Sequence, residues 1–139
     1  MKIDPSKIYL MPLIAGPIFD IAKPIRSVYG EVQYLTLQYQ TDLEATQAFL
    51  PECYQPAEKP IVTVMFGYYD GVDFMAGRGY RIAAVSVAAR FEGKQHHVEG
   101  DYVLVMFEDD TLPIIRGREK WGIPKVYADI SPVKTMPNG

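Results

Sequence analysis

The sequence predicts a mainly β fold of the α+β kind, in which antiparallel strands are joined by short turns and accompanied by one or two short helices. Three observations predict it. Eleven prolines and eleven glycines interrupt the 139 residues about once every dozen positions, which suits strands and turns better than long helices. Apolar runs of strand length follow one another through the second half of the chain. Turn signals stand between them, at Asp70-Gly71, Glu92-Gly93-Lys94 and Asp109-Asp110.

Residues 1–30 carry prolines at 5, 12, 17 and 24 and show no periodicity. They predict an extended, irregular arm whose apolar content packs on another surface, such as a neighbouring subunit. Glu31 to Gln40 is the first strand. Val32 and Tyr34 alternate with polar residues, then Leu35, Leu37 and Tyr39 take over, and this change of phase predicts a bulge near Tyr34. Thr41-Asp42-Leu43-Glu44 matches a capping box, with Thr41 as the cap. The helix it opens should run to about Leu50, where Pro51 stops it. Helical spacing puts Leu43, Phe49 and Leu50 near one face, which should lie on a sheet.

Strands are then expected over Pro60 to Tyr68, Tyr80 to Phe91, His97 to Glu108 and Leu112 to Arg116, with a further one over Val126 to Ile130. Val98 with Tyr102 to Phe107 makes a nearly continuous apolar run, which implies burial on both faces. There is no repeat, linker or low-complexity tract, and residues 1–139 read as a single domain.

At 15.7 kDa, with 48% hydrophobic and 22% charged residues, the chain has the composition of a folded globular protein and not of a disordered one. The net charge of −3 has no basic block behind it, so neither nucleic acid nor an anionic membrane is an expected partner. The lone Cys53 excludes an internal disulfide and fits a reducing compartment. Its simplest role is a small, half-buried side chain beside Pro51. Met1 to Pro5 contains no apolar core of signal-peptide length, and no apolar run approaches the ~20 residues of a membrane span. The cytoplasm is the expected location.

Gly117 to Lys125 is the segment most suggestive of chemistry. It holds four charged side chains, two glycines, the chain's single tryptophan and Pro124. A tight loop here would bring Arg118, Glu119 and Lys125 together. Trp121 and Ile123 precede Lys125, and Val126 and Tyr127 follow it. A lysine among such neighbours loses hydration of its charged form, so its pKa should fall. The neutral amine can attack a ketone to form an imine, which then serves as an electron sink. Glu119 or Arg118 would steer a carboxylate or move protons. The plainer alternative is that Lys125 snorkels to water and that Arg118 and Glu119 form an ion pair holding the loop.

Other clusters read as structural. His96-His97 point to opposite faces of a strand and have no third ligand. Glu108-Asp109-Asp110 lacks the spacing of a calcium loop and reads as a hairpin turn. Gly77-Arg78-Gly79 is a turn, and the ten tyrosines serve strands.

Four landmarks, in order, resemble the acetoacetate decarboxylase family. They are Met11-Pro12 through Gly16-Pro17, Tyr39 to Asp42 with the short helix into Leu50-Pro51, Gly100-Asp101-Tyr102 opening a strand, and Gly117-Arg118-Glu119 through Pro124-Lys125. Together they cover roughly residues 11 to 131. The resemblance implies an antiparallel β-cone, barrel-like fold and a homo-oligomer. It also implies that Lys125 is the Schiff-base lysine of a lyase acting on a small keto acid. No metal or organic cofactor is implied, because the lysine imine is itself the electron sink. Trp121, Ile123 and Met106 would supply the apolar wall.

The departures from the family pattern are equally specific. The second lysine that follows the family's imine lysine is here Val126. Val32 stands near the place of the family's active-site arginine, and Met65 and Ile82 fall where two glutamates line the decarboxylase pocket. Aldolase-dehydratase chemistry on pyruvate-like substrates, using the same lysine, is therefore a rival to decarboxylation. A non-catalytic ligand-binding or subunit-interaction module on the same fold is a third reading. The family's chains continue beyond this point, so the C-terminal part of the fold is expected to be missing, or supplied as a separate fragment. Asn138-Gly139 is a chemically labile dipeptide at that point.

Overall fold

The structure, a computed structural model, describes residues 3–9, 17–20, 26–134 and 137. Met11 to Gly16 and Asn138-Gly139 lie outside the described residues, as do residues 1–2, 10 and 21–25 of the arm. In the described part of the arm, strand β1 (Lys7–Tyr9) pairs antiparallel with β2 (Pro17–Asp20) as a separate two-stranded sheet.

The main sheet has six strands. Strands β3 (Glu31–Gln40), β5 (Ile61–Asp70), β6 (Tyr80–Glu92), β7 (His97–Glu108) and β8 (Lys125–Tyr127) lie side by side in that order, and β4 (Tyr54–Pro56) pairs with the far end of β6. All pairs are antiparallel except β7 with β8, which run parallel. The mainly β class with a few short helices therefore holds, in an open mixed sheet.

The parallel pair follows from a correction. Leu112 to Arg116 is not a strand but part of helix α2 (Thr111–Trp121). The Ile114-Ile115 pair carries a strand signal, yet stronger local rules act on both sides of it. The Asp110 carboxylate caps the helix by accepting the Leu112 N–H at 2.9 Å. Pro113 sits in the first turn, where its missing N–H costs nothing. Gly122, at φ 67, ends the helix in the left-handed region that glycine tolerates best. Asp109-Asp110 is thus a strand-to-helix junction and not a hairpin, and the crossover through α2 returns the chain parallel to β7. Gly117 to Trp121 is the last stretch of that helix, so the expected loop shrinks to Gly122–Pro124, and β8 occupies 125–127 instead of 126–130.

The bulge predicted near Tyr34 is absent. β3 pairs with β5 without a break from Glu31↔Asp70 to Gln40↔Ile61. β3 is an edge strand exposed along its length, with Tyr34 58% and Leu35 56% accessible on opposite faces, so no buried face sets its phase. The irregularity lies instead between Val85 and Ser86, in the β6–β7 pairing. There burial in β6 changes from Tyr80, Ile82, Ala84 and Ser86 to Val87 and Ala89, that is, from one face of the sheet to the other. Val72, Met75, Tyr80 and Ile82 form the core on the first face, and Leu50, Val87 and Ala89 the core on the second.

Helix α1 (Leu43–Ala48) is capped by Asp42, whose Oδ1 accepts the Ala45 N–H at 2.7 Å, and not by Thr41. The Thr41 N–H is committed to the Pro60 carbonyl at 2.9 Å, which holds Thr41 just past the end of β3. The buried positions are Thr46 and Leu50; Leu43 and Phe49, expected beside Leu50, are exposed. β7 is likewise half-buried instead of enclosed on both faces, with Val98 exposed. The short β4 gives no sequence signal longer than three residues. Cys53 is exposed, not half-buried.

Candidate active site

Lys125 opens β8 opposite Met106 of β7, so that its side chain shares a sheet face with Met106 and with Glu108 two residues further on. Its backbone is fixed from three directions. The Lys125 N–H donates to the Ile123 carbonyl at 2.8 Å, the Met106 N–H donates to the Pro124 carbonyl at 3.1 Å, and Arg118 Nη1 donates to the Lys125 carbonyl at 2.8 Å. Arg118 therefore sets the backbone of the lysine. Glu119 lies on the exposed side of the last turns of α2.

The Lys125 side chain runs beneath α2 at Gly117. A β-carbon at Gly117 would stand 2.6 Å from Lys125 Cδ and 2.7 Å from Nζ, closer than real side chains come. The glycine is what lets the lysine pass. At the end of this passage Nζ donates to Glu108 Oε1 at 2.6 Å and to the Pro113 carbonyl at 3.2 Å. Glu108 is 1% exposed and Lys125 8%. The surroundings of the amine are thus not purely apolar, as expected from its neighbours in sequence, but contain a buried carboxylate.

Burial pushes the Glu108 carboxyl above its ordinary range. The Lys125 ammonium opposes that rise, while Asp109 and Asp110 add to it. Its second oxygen, Oε2, is buried and has no hydrogen-bond partner among the described residues.

Lys125 also forms part of the wall of a cavity of about 350 Å³, together with Ser27, Tyr29, Phe74, Tyr80, Pro113, Arg116, Gly117, Trp121 and Ile123. Trp121 and Ile123 line the same cavity as the lysine. Met106, Met65 and Ile82 belong instead to the apolar core under the cavity. Arg116 donates to Ser27 Oγ at 2.8 Å and lies over the Phe74 ring at 4.2 Å. On the sheet side Tyr80 stacks on Tyr69 at 4.7 Å, and the Tyr69 hydroxyl meets that of Tyr34 at 2.7 Å. Burial pushes the hydroxyls of Tyr69 and Tyr80 well above the ordinary phenol range, and their neighbours Tyr34 and Tyr29 reinforce this.

The remaining sequence clusters take structural places. Asp109 accepts from Arg81 at 3.0 Å, and Asp110 pairs with Arg78 at 2.9 Å besides capping α2. His97 pairs with Glu92, and no group of three or more His, Cys, Asp or Glu among the described residues could hold a metal.

Glu108 and Arg116 belong to the site without being evident from the sequence. Glu108 ends an apolar run at the same parity as Met106, which marks it as inward-facing. Reading it with Asp109-Asp110 as a turn hid that signal. The strand expected over Leu112 to Arg116 conceals the helical position of Arg116.

The family model described as acetoacetate decarboxylase (ADC) matches residues 10–137. An acetoacetate decarboxylase from Chromobacterium violaceum is 34% identical over 120 residues, covering 86% of this chain and 44% of its own length. One from Burkholderia vietnamiensis is 34% identical over 126 residues, covering 88% and 46%. The chain thus spans a little under half the length of these relatives. The crystal structure of acetoacetate decarboxylase from Legionella pneumophila superposes on 74% of the chain and 38% of its own, with a TM-score of 0.60 and 28% identity. The enduracididine biosynthesis enzyme MppR, solved with the condensation product of pyruvate and imidazole 4-carboxaldehyde, shares the fold at a TM-score of 0.59 and 18% identity, over 78% of this chain and 44% of its own.

Proposed function

The chain belongs to the acetoacetate decarboxylase family, and from that premise we propose that it is a carbon–carbon lyase that forms a Schiff base with a small keto acid on Lys125. The observation that carries this reading is a buried lysine in the wall of an aromatic cavity, with its amine on a buried carboxylate. Amine attack on the keto carbon and loss of water give an iminium. The bond from the neighbouring carbon to its carboxylate then breaks, and its electron pair moves into the iminium to leave an enamine and CO2. Protonation of the enamine carbon and hydrolysis return the ketone and the free lysine.

Arg116 is the cation of the cavity wall that would receive the substrate carboxylate. Trp121 and Ile123 shape the apolar side of the cavity, Arg118 positions Lys125, and Glu119, exposed on α2 and outside the cavity wall, is assigned no direct contact with the substrate. The substrate is then a small molecule with a ketone and a carboxylate.

Arg116 also favours a second reading. A cation that holds a carboxylate stabilises the ground state of a decarboxylation and loses its partner as CO2 departs. In an aldolase-dehydratase reaction on a pyruvate-like substrate the carboxylate persists throughout, so the same contact serves every step. The non-catalytic alternative, a ligand-binding module, predicts that Lys125 can be replaced without chemical consequence.

One assay separates the three. The protein, purified at its full natural length, is given acetoacetate or pyruvate plus an aldehyde, and CO2 and condensation products are measured beside a Lys125→Ala control. Lysine-dependent CO2 supports decarboxylation and lysine-dependent condensation the second reading; product formation unchanged in Lys125→Ala contradicts both.

A further inference from the structure

We propose that Glu108 is a catalytic residue, the internal acid–base partner that moves the protons of imine formation at Lys125. The proposal rests on the Lys125 reading above and adds to it the group that the family-like pattern lacks here. Met65 and Ile82 are apolar, and the residue after the lysine is Val126. Among the described residues the carboxylate that touches the reacting nitrogen is Glu108, at 2.6 Å.

The geometry poses a chemical problem and contains its answer. An ammonium held against a carboxylate has no lone pair and cannot attack a carbonyl. Attack therefore requires the proton to go to Oε1, along the hydrogen bond already formed. This gives a neutral amine beside a carboxylic acid, and burial of Glu108 favours that acid form. The amine adds to the ketone, and one of its two remaining protons passes to the former carbonyl oxygen, to give a carbinolamine. Glu108 returns its proton to the departing hydroxyl, which leaves as water, and the lone pair of the nitrogen closes the C=N bond. Three protons on the ammonium become one on the iminium and two on water, and Glu108 is a carboxylate again. One positive charge faces one negative charge before and after. The burial of the pair is never left uncompensated, and no proton need come from outside. Oε2 is the unengaged acceptor to which the carbinolamine hydroxyl or the released water can donate.

Other charged groups around the pair are already engaged. On the same strand end Asp109 is paired with Arg81 and Asp110 with Arg78. Across the sheet the hydroxyls of Tyr69 and Tyr80 are held neutral by burial. On α2, Arg116 is engaged by Ser27, and Arg118 donates to the Lys125 carbonyl.

The test is the rate of reductive trapping of acetoacetate by cyanoborohydride, followed by mass on the full-length protein from about pH 5.5 to about pH 8, in wild type and Glu108→Gln. A lysine that loses its proton to bulk water gives a rate that rises about tenfold per pH unit. With Glu108 as internal base the wild-type rate stays flat across the window. Glu108→Gln should trap about 100-fold more slowly and regain the steep slope. A steep wild-type profile overturns the proposal even if the variant does not fold, and so does a folded Glu108→Gln with wild-type rate and profile. Absence of any adduct on wild type overturns the Lys125 reading itself, which separates the two failures.

Discussion

Gly117 and Lys125 compete for one volume: a β-carbon on the first would stand 2.7 Å from the Nζ of the second. In a helix, glycine is about 1 kcal/mol less favourable than alanine. Keeping it in the middle of α2 makes sense only if the space above the lysine matters.

Gly117→Ala should therefore separate helix stability from site geometry. The substitution gains helix propensity but pushes the lysine off Glu108. The expected result is a helix content unchanged or higher by circular dichroism, with adduct formation reduced about 100-fold, as for a reacting group misplaced by about 1 Å.

Lys125→Met should leave Glu108 buried without its cation, at a cost of about 3 kcal/mol in denaturant unfolding near neutral pH. The sign of the pH dependence follows from burial. The folded carboxyl already titrates above its ordinary value of 4.5, and losing Lys125 removes what opposes that rise. The folded variant then holds more protons than the unfolded chain. Its stability should fall as pH rises through the raised value and recover toward the ordinary one. Denaturation midpoints that do not move with pH over this range would contradict the burial argument.

Much of this site is legible in the sequence, and what is not has identifiable causes. Lys125, Trp121 and Ile123 come from a motif whose residues are adjacent in the chain, so local reading suffices. The Glu108–Lys125 pair spans 17 positions. It depends on β7 and β8 running parallel, hence on recognising α2 as a crossover. Ile114-Ile115 concealed that helix, although Asp110, Pro113 and Gly122 bracket it correctly. The phase change misplaced at Tyr34 fails for a different reason. β3 shows apolar residues on both faces because neither face is buried, whereas the true change at Ser86 falls among small residues that carry little pattern.

Arg116→Met tests how the carboxylate is held. It should raise KM for keto acids by about 10- to 100-fold, the worth of a charge-assisted contact. Trapping of a neutral ketone such as butanone should be little changed. Equal losses for both substrates would remove Arg116 from carboxylate recognition.

Asp110→Ala addresses the helix that carries Gly117 and Arg116. Loss of the cap on Leu112 should lower stability by about 1 kcal/mol in thermal or denaturant unfolding. The ion pair lost with it has its Arg78 partner exposed and adds little. A variant as stable as wild type would show that α2 is held by its packing alone.

The central claim is that Lys125 forms an imine, and borohydride reduction in the presence of acetoacetate or pyruvate, followed by peptide mass mapping of the full-length protein, tests it most directly. The account predicts one adduct per chain, located on Lys125 and absent from Lys125→Ala. An adduct on another lysine, or none with either ligand, would contradict it.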